Sequence, residues 1–470
     1  MEQRVYGPCP TFASNLESME LYRVVISDAT NVASWEVASS MLAVGLSWRH
    51  ATSAIAVGHV IVAVVVVLTG TIGARLRVPF PVLSRSSHAV LAMFWFGIET
   101  YTGSSALYQM LKDIWPSIAR MSNDLPQNAH ITSEDDIRHL FTLKAIIVPV
   151  AWLSILVWAM VRAPSGQTLA RKPAYVAGSD GKWLWLGAMN SSLTMFATVG
   201  VNIPDFTRYA RSERAQYIQI FVIPMAFTLV GIAVTSAGEM LYKETLWDPL
   251  DLIDRWDNRP AAFFAALSFV LATLGTNISA NSTAAANDLT ALFPQYIDIQ
   301  RGQIICAVLQ VGGWVVCPWQ VVKNAPHFLV FLTSSVFLGS LSAMSYWLVH
   351  KGCVDAVAMY DPRGIYRYWN GINWRAAVAL IVSIAPNLPG MINNINPRIY
   401  VGNATFMFTI AWLFGFFTAS GVYWILATLY PAAETFLPAP VLGEELFDKE
   451  EVQPCPSVSF PEKHVEAASP

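Results

Sequence analysis

The chain alternates between long apolar runs and short polar connectors, the pattern of a polytopic α-helical membrane protein. A helix needs about 20 mostly apolar residues to cross a bilayer, and runs of this length recur throughout the sequence. We predict eleven spans, at residues 24–47, 51–71, 88–110, 141–162, 183–203, 216–240, 260–290, 303–322, 326–349, 375–393 and 402–430. The predicted domains are a cytosolic N-terminal tail at 1–23, a transmembrane domain at 24–430 and a disordered cytosolic C-terminal tail at 431–470.

Composition supports this class and argues against several others. The chain has 470 residues, of which 54% are hydrophobic and 13% are charged, whereas soluble domains carry about 25% charged residues. The net charge of −3 gives no reason to expect a nucleic-acid partner. No zinc-site spacing and no Ser/His/Asp or HExxH constellation lies in or beside the spans, which argues against an enzyme. A channel or receptor is disfavoured because no repeated filter motif or ring of charges is present.

Three of the predicted spans are interrupted by polar residues. The first contains Asp28, Asn31 and Glu36, the fifth runs through SSLTMFATVGVN to Pro204, and the seventh contains TNISANSTAAANDLT. Polar backbone at membrane depth is tolerated where it lines a cavity or a packed partner, and interrupted spans mark binding sites in secondary transporters. The alternative is that the small residues permit close helix packing.

Basic residues cluster after the second, fifth and ninth predicted spans. The clusters are Arg75, Arg77 and Arg85; Arg208, Arg211 and Arg214; and Lys351, Arg363, Arg367 and Arg375. The positive-inside rule places all three clusters in the cytoplasm. Three predicted spans separate the first cluster from the second, however, which puts them on opposite sides. The charges therefore indicate that an odd number of spans is missing between residues 88 and 183, where the polar segment 116–140 cannot itself cross a bilayer.

Several long motifs follow one another over nearly the whole chain. They are ASSMLAVGLSW (38–48), TGTIGARLRVPFPVLSRSS (69–87), LAMFWFGIETYTGS (91–104), VNIPDFTRYAR (201–211), GTNISANSTAAANDLTALFP (275–294), YWLVHKG (346–352) and GINWRAA (371–377). With these motifs the sequence resembles the nucleobase:cation symporter-1 family, in its fungal uracil/allantoin/uridine permease branch. The resemblance implies an all-α, leucine-transporter-type fold with a five-plus-five inverted repeat and two extra helices. It also implies import of uracil, allantoin, uridine or a related heterocycle by cation symport at the plasma membrane.

The chain departs from this family at two places. Family members usually have a further span before IRHLFTLKAIIVPVAW (137–152), and the junction at 87–89 is shorter than usual. Both departures agree with the missing span that the charges indicate. An incorrectly spliced gene would explain them, and so would a non-transporting remnant of such a permease.

The resemblance also implies a set of substrate-binding residues. Trp95 would stack on a planar ring, Phe196 would supply a second aromatic wall, and Asn281 would make paired hydrogen bonds to the ring. Glu99 stands where the family usually has Gln, one helical turn from Trp95 and therefore on the same face. Without the motif, core packing is the simpler explanation for Trp95 and Phe196, and an interhelical hydrogen bond for Asn281.

The family's cation ligands correspond to Ala29, Val32, Ala272, Gly275 and Thr276. Gly275 stands where a coordinating hydroxyl would be, so we expect a co-transported proton, with sodium as the alternative, and no cofactor.

Buried carboxyl groups can carry a proton near neutral pH, and the candidates are Asp28, Glu36, Glu99 and Asp288. The expected partners are a small heterocycle and the lipid bilayer, and the oligomeric state is not predicted.

Asp205 lies in the motif VNIPDFTRYAR, at the cytoplasmic end of the fifth predicted span. We expect it to cap or pair at that end of its own helix, near Arg208.

Overall fold

The fold is described from a computed structural model. It describes residues 30–84, 89–116, 137–162, 176, 178–210, 212–219, 228–293, 295–314, 326, 329–330, 343–361, 363–369 and 371–442. Ala29, which we predicted as a cation ligand, and Asp28, a candidate proton carrier, lie outside these ranges. The segment 117–136, where we predicted a missing span, also lies outside them.

Helices account for nearly all the regular structure in the described residues, which contain two isolated β-bridges and no β-strand. In chain order the helices are α1 (Val32–Ala43), α2 (Trp48–Leu76), α3 (Phe80–Ser84), α4 (Ala89–Ile114), α5 (Ile137–Arg162), α6 (Gly178–Met195), α7 (Ala197–Asn202), α8 (Pro204–Thr207), α9 (Thr228–Tyr242), α10 (Pro249–Ile253), α11 (Arg259–Thr276), α12 (Ala284–Leu292), α13 (Ile299–Trp314), α14 (Trp374–Ile384), α15 (Leu388–Ile395), α16 (Ala404–Thr409) and α17 (Ala411–Leu429). Two π-helical segments, Asn277–Thr283 and Ser345–Val349, and short 3₁₀ turns complete the described part.

Helix α2 shows how the apolar sequence forms a membrane span. Ser47 caps its N-terminus by accepting a hydrogen bond from the backbone N–H of His50. Its 29 residues span about 44 Å, more than the roughly 30 Å hydrocarbon core of a bilayer. One stripe of the helix is exposed although it is apolar, and it consists of Val57, Val60, Val64 and Leu68. Because the opposite face is buried, this stripe is the side that faces lipid.

Four helical stretches in the described residues are long and apolar enough to cross a membrane. They are Trp48–Leu76, Arg259–Leu292, Trp374–Asn394 and Ala411–Leu429. Each coincides with a predicted span, and shorter apolar helices lie at three further predicted spans: Ile147–Arg162, Leu229–Tyr242 and Ile299–Leu309. The total of eleven spans stays a prediction because several connecting segments lie outside the described residues.

Two close helix contacts form the centre of the bundle. Helix α4 packs along α11, where a Cβ atom on Gly103 would lie 2.9 Å from Oγ1 of Thr273. Helix α9 packs against α1, where a Cβ atom on Gly231 would lie 2.7 Å from the backbone oxygen of Trp35. Real Cβ contacts are longer than this, so a side chain at either position would force neighbouring atoms to move. Two of the helices that carry interrupted sequences, α1 and α11, are each packed closely against a further helix.

The structure brings the first two basic clusters together. Arg77 ends α2 in a left-handed conformation, with φ of 60°, and its Nη1 donates to the backbone oxygens of Arg208 at 3.2 Å and Ala210 at 2.7 Å. The two clusters thus lie on one side of the bundle, as the positive-inside rule requires. Three crossings between them would place them on opposite sides, so this contact agrees with the missing span that the charges indicate.

The segment 243–258 lies at the opposite end of the bundle. Helix α4 starts shortly after the Arg77 end of α2 and runs back across the bundle. At its far end Lys112 forms an ion pair with Asp254, and Arg259 donates to the backbone oxygen of Asp113. If the basic clusters are cytoplasmic, the segment 243–258 faces the exterior.

The prediction that residues 431–470 are disordered is wrong for residues 431–442. Val441 exchanges backbone hydrogen bonds with Val354 and Ala356, at 3.0 and 2.8 Å. The ring of Phe436 stacks on His350, with 5.3 Å between ring centroids. Contacts to a distant segment give this Pro- and Glu-rich stretch an ordered position that its composition does not indicate.

Asp205 also acts beyond its own helix, and its pairing near Arg208 stays a prediction. This buried carboxylate accepts a hydrogen bond from the backbone N–H of Phe80, at 2.9 Å. It therefore stabilises the start of α3, which lies 125 residues earlier in the chain.

Candidate functional site

The polar stretch of the seventh predicted span forms a π-helical interruption between α11 and α12. Residues Asn277–Thr283 adopt the wider π turn within an otherwise continuous helix. The hydroxyl of Thr283 donates to the backbone oxygen of Ile278, five residues earlier, at 2.9 Å. π-Helical turns of this kind are rare and are frequent at functional sites. Here the wider turn carries buried Asn277, Ser279 and Asn281.

Asn277 braces this segment against α4. Its Nδ2 donates to the backbone oxygen of Phe96 at 3.1 Å and to Oγ1 of Thr100 at 2.9 Å. Its Oδ1 accepts from Nδ2 of Asn281 at 3.0 Å. An amide nitrogen has two hydrogens, so this bond leaves Asn281 with one N–H donor and its amide oxygen. Asn281 therefore keeps an adjacent donor and acceptor in a fixed orientation.

The structure brings Trp95 and Phe196 into one apolar cluster. Both are buried, with 5% and 2% of their surface exposed, and both belong to the largest apolar core of the bundle. Trp95 projects from α4, the helix that Asn277 contacts. Glu99 lies one turn further along α4 and is buried as well.

Phe196 sits where the fifth predicted span breaks into two helices. It separates α6 from α7, and its own φ and ψ of −100° and 1° are not helical. Helix α7 contacts the π-helical segment, because Nδ2 of Asn202 lies 3.5 Å from the backbone oxygen of Ala280. Two interrupted helices, α6–α7 and α11–α12, therefore meet beside α4. The four predicted substrate residues lie on these three elements, although their roles stay predictions.

His59 is a residue of this region that the sequence reasoning missed. It is fully buried in α2, and its ring meets Phe196 edge to face, with 4.9 Å between centroids and 88° between planes. Neither ring nitrogen has a hydrogen-bond partner among the described residues. The available signal was a histidine inside an otherwise apolar run, but nothing in the sequence pairs it with Phe196.

Of the predicted cation-site residues, Val32 lies on α1 and Ala272, Gly275 and Thr276 lie on α11. Val32 and Ala272 share one buried apolar cluster. Oγ1 of Thr276 donates to the backbone oxygen of Ala272 at 3.0 Å, and Oγ of Ser279 donates to that of Gly275 at 3.0 Å. Gly275 itself has no hydroxyl group, and the hydroxyl groups closest to it in these bonds are those of Thr276 and Ser279. The assignment of a cation to this place stays a prediction.

Three buried carboxyl groups lie on helices of this bundle. Glu36 and Glu99 are each 3% exposed, and Asp288 on α12 is fully buried. Glu36 interacts electrostatically with Asp248, the residue just before α10, and with Glu99. Glu36 therefore interacts both with a predicted substrate residue, Glu99, and with the segment 243–258.

Comparison with known proteins identifies related sequences over most of the chain. Residues 14–415 match a family described as permeases for cytosine/purines, uracil, thiamine and allantoin. An uncharacterized permease of Schizosaccharomyces pombe is 31% identical over 92% of this chain and 84% of its own length. The allantoin permease of Saccharomyces cerevisiae is 30% identical over 87% of this chain and 73% of its own length.

One solved structure has the same architecture. Mhp1, a nucleobase-cation-symport-1 family transporter in a closed conformation with bromovinylhydantoin bound, matches with a TM-score of 0.71. The match covers 91% of this chain and 96% of that protein at 19% identity. A likeness at this identity concerns the fold, and it confirms the all-α, leucine-transporter-type fold predicted from the sequence.

Proposed function

The chain belongs to the family of permeases for cytosine/purines, uracil, thiamine and allantoin, and we propose that it imports a small planar heterocycle such as uracil, allantoin or uridine by cation symport. Membership of this family makes it an integral, multi-pass membrane transporter and not an enzyme. The proposal adds the class of substrate, the coupling to a cation and a location in the plasma membrane.

The observation that carries the proposal is the oriented amide of Asn281, which Asn277 holds against α4, the helix that carries Trp95. A ring that carries adjacent N–H and C=O groups offers one donor and one acceptor. The remaining N–H and the amide oxygen of Asn281 match that pair. Trp95 and Phe196 would contact the faces of the ring, and aromatic stacking adds about 0.5–1.5 kcal/mol beyond the burial of area.

Glu99 adds a second polar group to this site. An ionised carboxylate accepts hydrogen bonds from ring N–H groups and donates none, whereas the protonated acid donates one. The position therefore favours substrates with more than one N–H group. It also makes recognition sensitive to the charge on Glu99.

We propose the proton as the co-transported cation, with sodium as the alternative. Gly275 has no hydroxyl to offer a cation. The buried carboxyl group of Glu36 interacts electrostatically with Glu99, which is one of the proposed substrate residues. A protonophore should then abolish accumulation, and removal of sodium should leave it intact.

Uptake assays in a strain without its own nucleobase permeases test the substrate site. We expect saturable uptake of radiolabelled uracil or allantoin, and we expect Asn281→Ala to reduce it to background. The substitution removes the amide that would bind the ring and releases Asn277 from its bond to Asn281.

A matched control separates this effect from loss of the fold. Asn387 is another buried amide, which donates to the backbone oxygen of Ser383 within its own helical turn. Asn387→Ala should retain uptake. Undiminished uptake in Asn281→Ala would refute the assigned substrate site, and no uptake of any probe by the unmodified chain would favour the non-transporting remnant.

A further inference from the structure

Glu36 links a carboxyl group at the exterior end of the bundle with one at the proposed substrate site. Asp248 precedes α10 and is partly exposed. Glu36 on α1 is buried in the middle, and Glu99 on α4 is buried one turn from Trp95. Glu36 interacts electrostatically with both of the others.

The backbone geometry independently places Asp248 beside Glu36. Oγ of Ser39 donates to the backbone oxygen of Trp247 at 2.6 Å, and Asp248 is the next residue. Glu36 lies three residues before Ser39 in α1, so the two side chains share one helix face. The hydrogen bond therefore holds the start of α10 over the face of α1 that carries Glu36.

Among the described residues, no hydrogen-bond donor or basic side chain offsets the burial of the Glu36 carboxylate. Its Oε2 is buried and makes no hydrogen bond there, and the charged groups that act on it are the two carboxyl groups of Asp248 and Glu99. A buried carboxylate without a partner is costly, and a like charge nearby increases that cost. A bound proton removes the charge.

Two basic residues at this end of the bundle, Arg255 and Lys112, pair with carboxylates other than Glu36 and Asp248. Arg255 pairs with exposed Glu244, with 2.7 Å between Nη2 and Oε2, and Lys112 pairs with Asp254. No ion pair of the described residues involves Glu36 or Asp248. The remaining charged group that acts on Asp248 is Asp251, which is itself acted on by Asp254 and Arg255.

We propose that Glu36 is the proton-binding group of this transporter, that Asp248 delivers the proton from the exterior, and that Glu99 couples its charge to the substrate site. This inference rests on the proposed function and names its coupling residue. The transfer breaks an O–H bond on Asp248 and forms one on Glu36, and water at the exterior then protonates Asp248 again. With Glu36 neutral, its like-charge repulsion with Glu99 is removed. When the site opens to the cytoplasm, Glu36 releases the proton to water there.

Asp248 has the proton affinity that such a delivery step needs. Burial and the neighbouring carboxylate of Asp251 raise its pKa from 3.8 to about 7, against the opposing effect of the Leu250 N–H bond. It therefore takes up a proton as the external pH falls through neutrality. General acid–base groups transfer protons best when their pKa lies near the working pH.

The test uses the purified full-length chain in proteoliposomes with radiolabelled uracil and allantoin as probes. Two measurements are made: counterflow without a gradient, which reports substrate exchange, and accumulation driven by an acidic exterior. With one proton per substrate, a gradient of one pH unit supports accumulation of up to about tenfold. We expect Glu36→Gln to lower the accumulation ratio to near one while counterflow stays measurable, and Glu36→Asp to restore accumulation in part.

Two further variants provide the comparison. Glu244→Gln changes an exposed carboxylate of the same segment and should accumulate substrate like the unmodified chain. We expect the initial rate of uptake by the unmodified chain to decline as the external pH rises through about 7, where Asp248 loses its proton. Asp248→Asn should remove this decline.

The outcomes separate the coupling residue from the function itself. Proton-driven accumulation by Glu36→Gln equal to that of the unmodified chain would overturn the inference and leave the proposed function standing. Loss of accumulation in Asp288→Asn but not in Glu36→Gln would transfer the role to Asp288. Absence of counterflow by the unmodified chain with both probes would overturn the proposed function and the inference together.

Discussion

At the residue scale, the orientation of Asn281 depends on a second amide that touches no substrate in our proposal. Asn277 holds Nδ2 of Asn281 and is itself held by Thr100 and the backbone of Phe96. The sequence indicated Asn281 through a family motif. It did not indicate Asn277 as a brace, because only the packed helices show that its amide reaches α4.

Thr100→Val tests this brace. Valine keeps the shape of threonine and removes the oxygen that accepts from Asn277, so Asn281 loses part of its support. A buried hydrogen bond contributes about 0.5–1.5 kcal/mol, so we expect KM for uptake to rise by about two- to tenfold, with little change in the maximal rate.

Ser105→Ala is the matched control, because the hydroxyl of Ser105 bonds within α4, to the backbone oxygen of Tyr101. Its KM should equal that of the unmodified chain. If Thr100→Val also left KM unchanged, Asn277 would not orient the substrate amide.

At the element scale, α10 is a short helix whose capping residue is also an acid of the proposed proton path. Asp248 accepts a hydrogen bond from the backbone N–H of Leu250 at 2.8 Å, and Pro249 occupies the first position of the helix. Both features are predictable from the residues Asp-Pro. The proximity to Glu36 is not, because more than 200 residues separate the two.

Asp248→Asn should make the thermal stability less dependent on pH. The folded-state pKa of about 7 exceeds the ordinary value of 3.8, so between these values the folded chain holds a proton that the unfolded chain has released. Stability therefore falls as the pH rises through this range. Asparagine is also a good N-cap, so α10 is retained.

The measurement is thermal unfolding in detergent between about pH 5 and about pH 8. The fall in melting temperature over this range should be smaller in Asp248→Asn than in the unmodified chain. Glu244→Gln, at an exposed site, should keep the full fall. An equal fall in all three proteins would show that Asp248 is not protonated in this range.

At the scale of the whole molecule, residues 431–442 pack at the end of the bundle where α2 ends. Nε2 of His350 lies 3.0 Å from Oγ1 of Thr435, and burial lowers the pKa of His350, so its ring is neutral near pH 7. Phe436 and Leu442 pack against the same segment. This stretch therefore contributes to the stability of the transporter.

Two truncations test this contribution. A chain that ends at residue 430 loses the contacts to His350, Val354 and Ala356 and should melt at a lower temperature than one that ends at residue 442. The measurement is the melting temperature of each detergent-solubilised protein. Equal melting temperatures would show that residues 431–442 do not stabilise the fold.

The sequence by itself determined the membrane class, the family and most of the helices. Hydropathy and capping depend on residues near one another in the chain, so the spans at 51–71, 260–290, 375–393 and 402–430 could be located without a structure. The motifs also predicted Trp95, Phe196 and Asn281 as residues of a single site, and this stays a prediction.

Only the tertiary structure decided which groups meet. The bond from Ser39 to Trp247 joins residues 208 positions apart, and the bonds from Arg77 reach Arg208 and Ala210. Such contacts arise when helices pack, and no local pattern encodes them. For the same reason the π-helical turn that orients Asn281, the edge contact of His59 with Phe196 and the electrostatic interactions of Glu36 became visible only in the folded chain.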